Sequence, residues 1–204
     1  MPNWCDNSIS ISHADPAMMQ RLDNAFKEGK FLNEFVPCPI ELLDEVAIGE
    51  GYHERNEAHE AANIEKFGHS SWYTWRIENW GTKWEISEGE FDYDPETNSA
   101  TGWFQSAWSP PVTAMEALTD LGFIVELRYR EEGMSFVGEY TSEDGDDCYN
   151  VDFEDEDWRD SIPQNLIDDF NLEEDYENYL EWNKDEEDED DDDSEEVAKG
   201  DDGS

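Results

Sequence analysis

Three thiols, four imidazoles and 56 carboxylates are the groups with which this 204-residue chain could do chemistry. Cys5, Cys38 and Cys148 are odd in number and have no metal-like spacing, so they are expected as reduced thiols. Cys148 lies among Asp144, Asp146, Asp147 and Asp152, a field that disfavours a thiolate and makes a poor nucleophile. A metal site could be drawn from His53, His59 and Glu57, with His69 nearby. A spacing of six, however, sets His53 and His59 about 240° apart around a helix, so they share no face. Asp92 and Asp94 sit in a hairpin arm without the glycine that a calcium loop needs at its sixth position. There is no glycine-rich phosphate loop, no HExxH and no GxSxG. The residues therefore predict no catalytic residue, no metal and no cofactor, and not an enzyme.

What remains is charge. The chain holds 56 acidic and 12 basic residues, a net charge of −44. Residues 1–150 hold 30 acids and 9 bases, and residues 151–204 hold 26 acids and 3 bases. The last quarter is thus about threefold denser in charge, and Asp185–Asp193 is an unbroken run of acids. Direct binding to DNA or RNA needs Lys and Arg against phosphates, and an anionic membrane surface needs the same, so both are excluded as partners. No apolar run is long enough to span a bilayer. The opening MPNWCDNSIS has neither the basic flank nor the apolar core of an export signal, so a cytoplasmic protein is expected.

These groups must be positioned by a folded part, because aromatic residues reach 13%, with nine Trp, and disordered chains are poor in aromatics. Residues 5–12 alternate around Ile9 and Ile11 as a strand. Asp15-Pro16 then caps and starts a helix over 16–28, with Met18, Met19, Leu22 and Phe26 at helical spacing. Pro37 and Pro39 predict an extended bend at Cys38, and 45–70 reads as an inserted loop and short helix. Strands are expected at 85–94 and 100–108, a helix at 111–121 and a strand at 123–130. GMSFVGEY predicts a strand pairing back on this last one, and DCYNVDF a further edge strand. Residues 161–182 read as an acidic helix that Asn171 could divide in two.

This order predicts an α+β fold. The expectation is a ferredoxin-like (split βαβ) antiparallel sheet with two helices on one face. An insertion at about 45–80, extra C-terminal strands, an acidic helix and a disordered acidic tail complete it. The expected domains are 1–153, the ferredoxin-like domain with its insertion; 154–182, an acidic helical extension; and 183–204, a disordered acidic tail. No cysteine cluster exists to hold an iron–sulfur centre.

The densest aromatic feature is WYTWRIENWGTKWEI at 72–86. Trp72, Trp75, Asn79, Trp80, Gly81, Lys83 and Trp84, with Trp108 further on, are expected to build a core corner where a helix meets a strand. An aromatic platform for a base or a peptide is the functional alternative. Together with MPNWCDN, Phe35-Val36-Pro37-Cys38-Pro39 and FQSAWSPP, this signature resembles one family over residues 1–140. It is the YubB-type ferredoxin-like domain family of unknown function, found in phage and plasmid proteins. The resemblance implies the fold and a mobile-element origin, and no activity. The acidic region beyond about residue 143 lies outside the shared pattern.

The expected function is a phage- or plasmid-encoded acidic binding protein in the cytoplasm of the host cell. It would inhibit a host DNA-handling or defence protein, such as a restriction, CRISPR or recombination nuclease, by nucleic-acid mimicry. The partner would then be a basic, nucleic-acid-binding host protein. The acidic surface expected to meet it comprises Asp152, Glu154, Asp155, Glu156, Asp157, Asp168, Asp169, Glu173, Glu174, Asp175, Glu177 and Glu181. Fixed carboxylates mimic better than floppy ones, because ordering a disordered run costs entropy. The alternative is a non-inhibitory protein-binding module whose acidic tail serves solubility or tethering.

Overall fold

The computed structural model describes residues 3–43 and 57–183. They divide into two units, one ending at Asn150 and one starting at Val151.

The first unit is a ferredoxin-like α+β domain built on a six-stranded sheet in the order β2-β3-β1-β4-β5-β6. Strand β1 (Trp4–Ser12) lies at its centre, with every second side chain buried: three apolar ones and Asn7, whose amide is hydrogen-bonded. Cys5, Asn7, Ile9 and Ile11 face the core, while Asp6, Ser8 and Ser10 face out. Helix α1 (Pro16–Lys27) follows, and the Asp15 carboxylate accepts the Ala17 N–H at 2.9 Å to cap it. Strands β2 (Ser87–Asp94) and β3 (Ser99–Ala107) form a hairpin across the turn at residues 95–98. Helix α6 (Val112–Asp120) and strand β4 (Ile124–Glu131) complete the second half. Strand β3 lies between β1 and β2, and β1 between β3 and β4. Each βαβ unit is therefore split by a strand of the other, and all neighbours are antiparallel. Met19 and Leu22 of α1 join Met115 and Leu118 of α6 in one core with Ile9, Ile11, Phe104, Val125 and Leu127. Both helices thus cover the same sheet face. Strands β5 (Phe136–Thr141) and β6 (Gly145–Asn150) extend the sheet as a meander, as their alternation predicts.

The sequence reading needs correction between α1 and β2. The bend at Pro37-Cys38-Pro39 is present as expected, but two short helices, α2 (Phe31–Phe35) and α3 (Ile40–Leu43), lie on either side of it. Helices α4 (Glu57–Phe67) and α5 (Trp72–Trp80) follow. Strand β2 starts at Ser87 and not at residue 85. The reason is Glu85, whose carboxylate accepts the Leu32 and Asn33 N–H groups at 2.7 and 3.0 Å. Lys30, at the start of α2, offers no side-chain cap, so Glu85 supplies it from far along the chain and holds 82–86 off the sheet. The expected His53 and the tail from residue 184 onward lie outside the described residues.

The second unit carries its own aromatic core. A 3₁₀ turn (Trp158–Ser161) leads to α7 (Gln164–Asp169), and residues 172–183 form a further helix, α8. Asn171 separates the two helices with φ 53°, a left-handed geometry that asparagine tolerates better than most residues. Phe153, Trp158, Tyr176 and Tyr179 meet with ring centroids 5.1–5.9 Å apart. Trp158, Leu166, Ile167 and Leu172 are buried.

Candidate functional site

The twelve carboxylates singled out in the sequence lie on ordered backbone of the second unit. Eleven are exposed and Asp175 is half-buried. They fall on three elements: the turns before Trp158, the end of α7, and α8. Apolar side chains at 158, 162, 166, 167 and 172 turn inward, which leaves the intervening acids in water.

Several of these acids also hold the unit together. Asp152 accepts the Glu154 N–H at 3.1 Å and Asp155 accepts the Asp157 N–H at 3.0 Å. Gln164 donates to Asp168 at 2.9 Å, and Asn171 donates to Glu174. Glu173 accepts two bonds from Arg159, from Nε at 2.7 Å and from Nη2 at 2.5 Å. The Arg159 guanidinium lies 4.6 Å from the Trp158 ring centre and 4.8 Å from that of Tyr176. Hydrogen bonding to Arg159 holds the Glu173 carboxyl below its ordinary range. Glu173 is therefore a tie between the 3₁₀ turn and α8 as well as a surface charge.

The tryptophan signature builds a corner. Trp80 is fully buried and its Nε1–H donates to the Val36 carbonyl at 2.7 Å. Trp75 meets it edge-on at 6.2 Å, and the Arg76 guanidinium lies over both Trp72 and Trp80, at 5.0 and 4.5 Å. The Asn79 side chain donates back to the Trp75 carbonyl at 2.8 Å. Gly81 ends the helix at φ 84°, where a Cβ would stand 3.0 Å from the Pro110 carbonyl. Ser109 closes the corner by donating to the Gly81 carbonyl at 2.5 Å. Lys83 leaves the corner and lies over Trp84 at 4.5 Å, while Trp84 meets Trp4 at 6.2 Å. Trp108 is exposed at φ 71°, with its N–H bonded to the Asn3 carbonyl.

Burial pushes the Cys5 and Cys38 thiols up. Cys148 is also raised, first by burial and then by the neighbouring Asp146. Among the described residues, no three His, Cys, Asp or Glu side chains are grouped to hold a metal ion. Among those residues too, no helix is long and apolar enough to cross a membrane.

Sequence reasoning missed Trp103. It stands exposed on the outer sheet face, where β3 pairs Trp103 with Glu90 and Thr101 with Asp92. An open depression of about 570 Å³ runs along Glu90, Phe91, Asp92, Thr101, Gly102 and Trp103. The available signal was the alternation of β3, which puts Trp103 opposite in facing to Phe104.

Residues 79–198 match a family model described as the ferredoxin-like domain in Api92-like protein. Among solved structures, the chain is similar to a protein api92 from Yersinia pseudotuberculosis. The identity is 12% and the TM-score 0.38, over 74% of this chain and 99% of that one. No curated protein matches the chain.

Proposed function

This chain belongs to the family of ferredoxin-like domains in Api92-like proteins, and we propose that it serves as an acidic binding protein that inhibits a host nucleic-acid-handling protein by charge mimicry. The observation that carries this reading is the second unit. Its described residues 151–183 hold thirteen acids and one base, and all of the acids but the half-buried Asp175 are exposed on ordered backbone.

Helix α8 gives the density. Glu173, Glu174, Asp175, Glu177 and Glu181 are five of its twelve residues, and over its length of about 18 Å that is one carboxylate per ~3.6 Å, close to the ~3.4 Å per charge of one DNA strand. A basic groove that normally holds nucleic acid would release counterions to this helix as it does to a phosphate strand. The field of the whole chain, at −44, would steer the encounter. The reading assigns the chain no catalysis, in keeping with the raised thiols, and no direct contact with nucleic acid. It places the chain in a host cytoplasm. The resemblance of MPNWCDN and FQSAWSPP to YubB-type phage and plasmid proteins supports a mobile-element origin.

The test is capture from a host lysate on the full chain, at low and high salt, with and without saturating duplex DNA. Retention of a nucleic-acid-binding protein that falls steeply with salt and is abolished by DNA is the expected result. Retention that DNA leaves unchanged overturns mimicry and leaves a plain protein-binding module.

A further inference from the structure

We infer that Trp103, Glu90 and Asp92 form an anchor for one arginine side chain of a protein partner. The inference rests on the partner being basic, as proposed above, and adds a place and a chemistry that the acidic second unit does not supply.

Three observations carry it. Trp103 is 44% exposed, on a sheet face where the neighbouring β1 exposes Asp6, Ser8 and Ser10. Register places Glu90 directly beside it and Asp92 one pair further along, and both carboxylates are exposed. The depression of about 570 Å³ beside them is open to solvent and large enough for a guanidinium to lie against the indole.

The charges on this face are unevenly used. Asp6 accepts from Gln105 at 2.9 Å, and Glu126 and Glu139 are both held by Arg128, at 2.7 and 2.9 Å. Among the described residues, the Glu90 and Asp92 side chains have no hydrogen bond or ion pair, and no cation lies over Trp103. A flat aromatic face flanked by two unengaged carboxylates suits a planar cation with several N–H donors, which is arginine rather than lysine. The chain uses the same chemistry elsewhere, at the aromatic core of its second unit. Arg159 lies over Trp158 while Glu173 takes its guanidinium with two hydrogen bonds. Trp103 with Glu90 and Asp92 offers the same residue types on an open sheet face, without an arginine of its own. Tryptophan and arginine are also the residues on which protein interfaces concentrate their binding energy.

The test uses the full chain labelled with ¹⁵N and three short peptides, of glycine alternating with arginine, lysine or citrulline. The Trp103 indole signal is identified by its loss in Trp103→Phe. The arginine peptide should move that signal and bind several-fold more tightly than the lysine peptide, and the citrulline peptide should leave it in place. Trp103→Ala, and separately Glu90→Gln with Asp92→Asn, should each weaken the arginine peptide about fivefold or more. Trp108→Ala, at the other exposed indole of this unit, should not. The carboxylate pair variant keeps the strand and ring, so it remains decisive if Trp103→Ala unfolds. Equal affinity for arginine and lysine peptides, or an unmoved Trp103 signal, overturns the anchor. Failure of the mimicry reading would show elsewhere, as capture that DNA does not compete.

Discussion

The ring of Tyr129 lies across the bare backbone of Gly138. A Cβ built on that glycine would collide with the ring's Cζ and hydroxyl, and would stand 2.6 Å from the Asp147 carbonyl. Passing over β5 in this way, the Tyr129 hydroxyl reaches Asp146 on β6 and donates to it at 2.8 Å. The last strand is thus fastened to β4 by a side chain that only a glycine lets through.

Gly138→Ala should therefore displace the ring and loosen β6. The expected loss of stability is about 2 kcal/mol or more, the scale of overpacking in a tight core. Tyr129→Phe keeps the ring and loses only the hydrogen bond, for about 1 kcal/mol. Urea melts of both variants check the order. Amide exchange should rise in β6 before the other strands in Gly138→Ala, and a uniform rise would contradict this account.

Arg159→Ala should loosen the second unit without disturbing the sheet. It removes the guanidinium that lies over Trp158 and Tyr176 and ties Glu173 to the 3₁₀ turn. The expected outcome is a smaller helical signal in circular dichroism and a lower first thermal transition. Glu173→Lys should do the same, whereas Glu177→Lys, on the exposed side of α8, should not. Equal melting of the two lysine variants would show that Glu173 is only a surface charge.

Much of the fold was legible because local patterns agree with it. Alternation around Ile9 and Ile11, the Asp15-Pro16 start, and the turn between β2 and β3 each act within a few residues. The missed elements depend on distant partners. Helix α2 is capped by Glu85, so neither segment announces the other. The acidic surface was legible as composition, since exposed carboxylates need no partner. Arg159 with Glu173, and Trp103 beside Glu90, were not. Such pairs depend on how a turn folds back or on strand register, here shifted by the irregularity between Ser87 and Gly89.

Glu85 also predicts a pH dependence. Burial pushes the Glu85 pKa above the ordinary glutamate range, against the lowering effect of the Leu32, Asn33 and Ile86 N–H groups and of Arg76. A carboxyl with a raised folded value keeps its proton in the folded state after the unfolded chain has lost it, so its contribution favours folding at low pH. That contribution fades as pH rises from the ordinary value, about 4.3, through the raised one. Relative to Glu85→Gln, the natural chain should gain stability as pH falls from 7 to 5. Glu85→Ala, which leaves two N–H groups of α2 without their acceptor, should cost about 1–3 kcal/mol at either pH. Urea melts at the two pH values measure both, and a natural chain that loses ground to Glu85→Gln on acidification would refute the assignment.

Charge reversal in the second unit separates steering from folding. The triple variant Glu156→Lys, Glu177→Lys and Glu181→Lys avoids Glu173, which is needed by Arg159. All three positions are exposed, and substitutions there usually shift stability by under about 0.5 kcal/mol each. The melting curve should therefore hardly move. Association with the captured nucleic-acid-binding partner should slow by about tenfold or more at low salt, because the on-rate follows the summed field and not any one contact. The difference should shrink as salt rises, since the Debye length falls from ~10 Å at 0.1 M to ~3 Å at 1 M. Stopped-flow association rates across a salt series test this. Rates that match the natural chain at every salt concentration would remove the acidic helix from the interface.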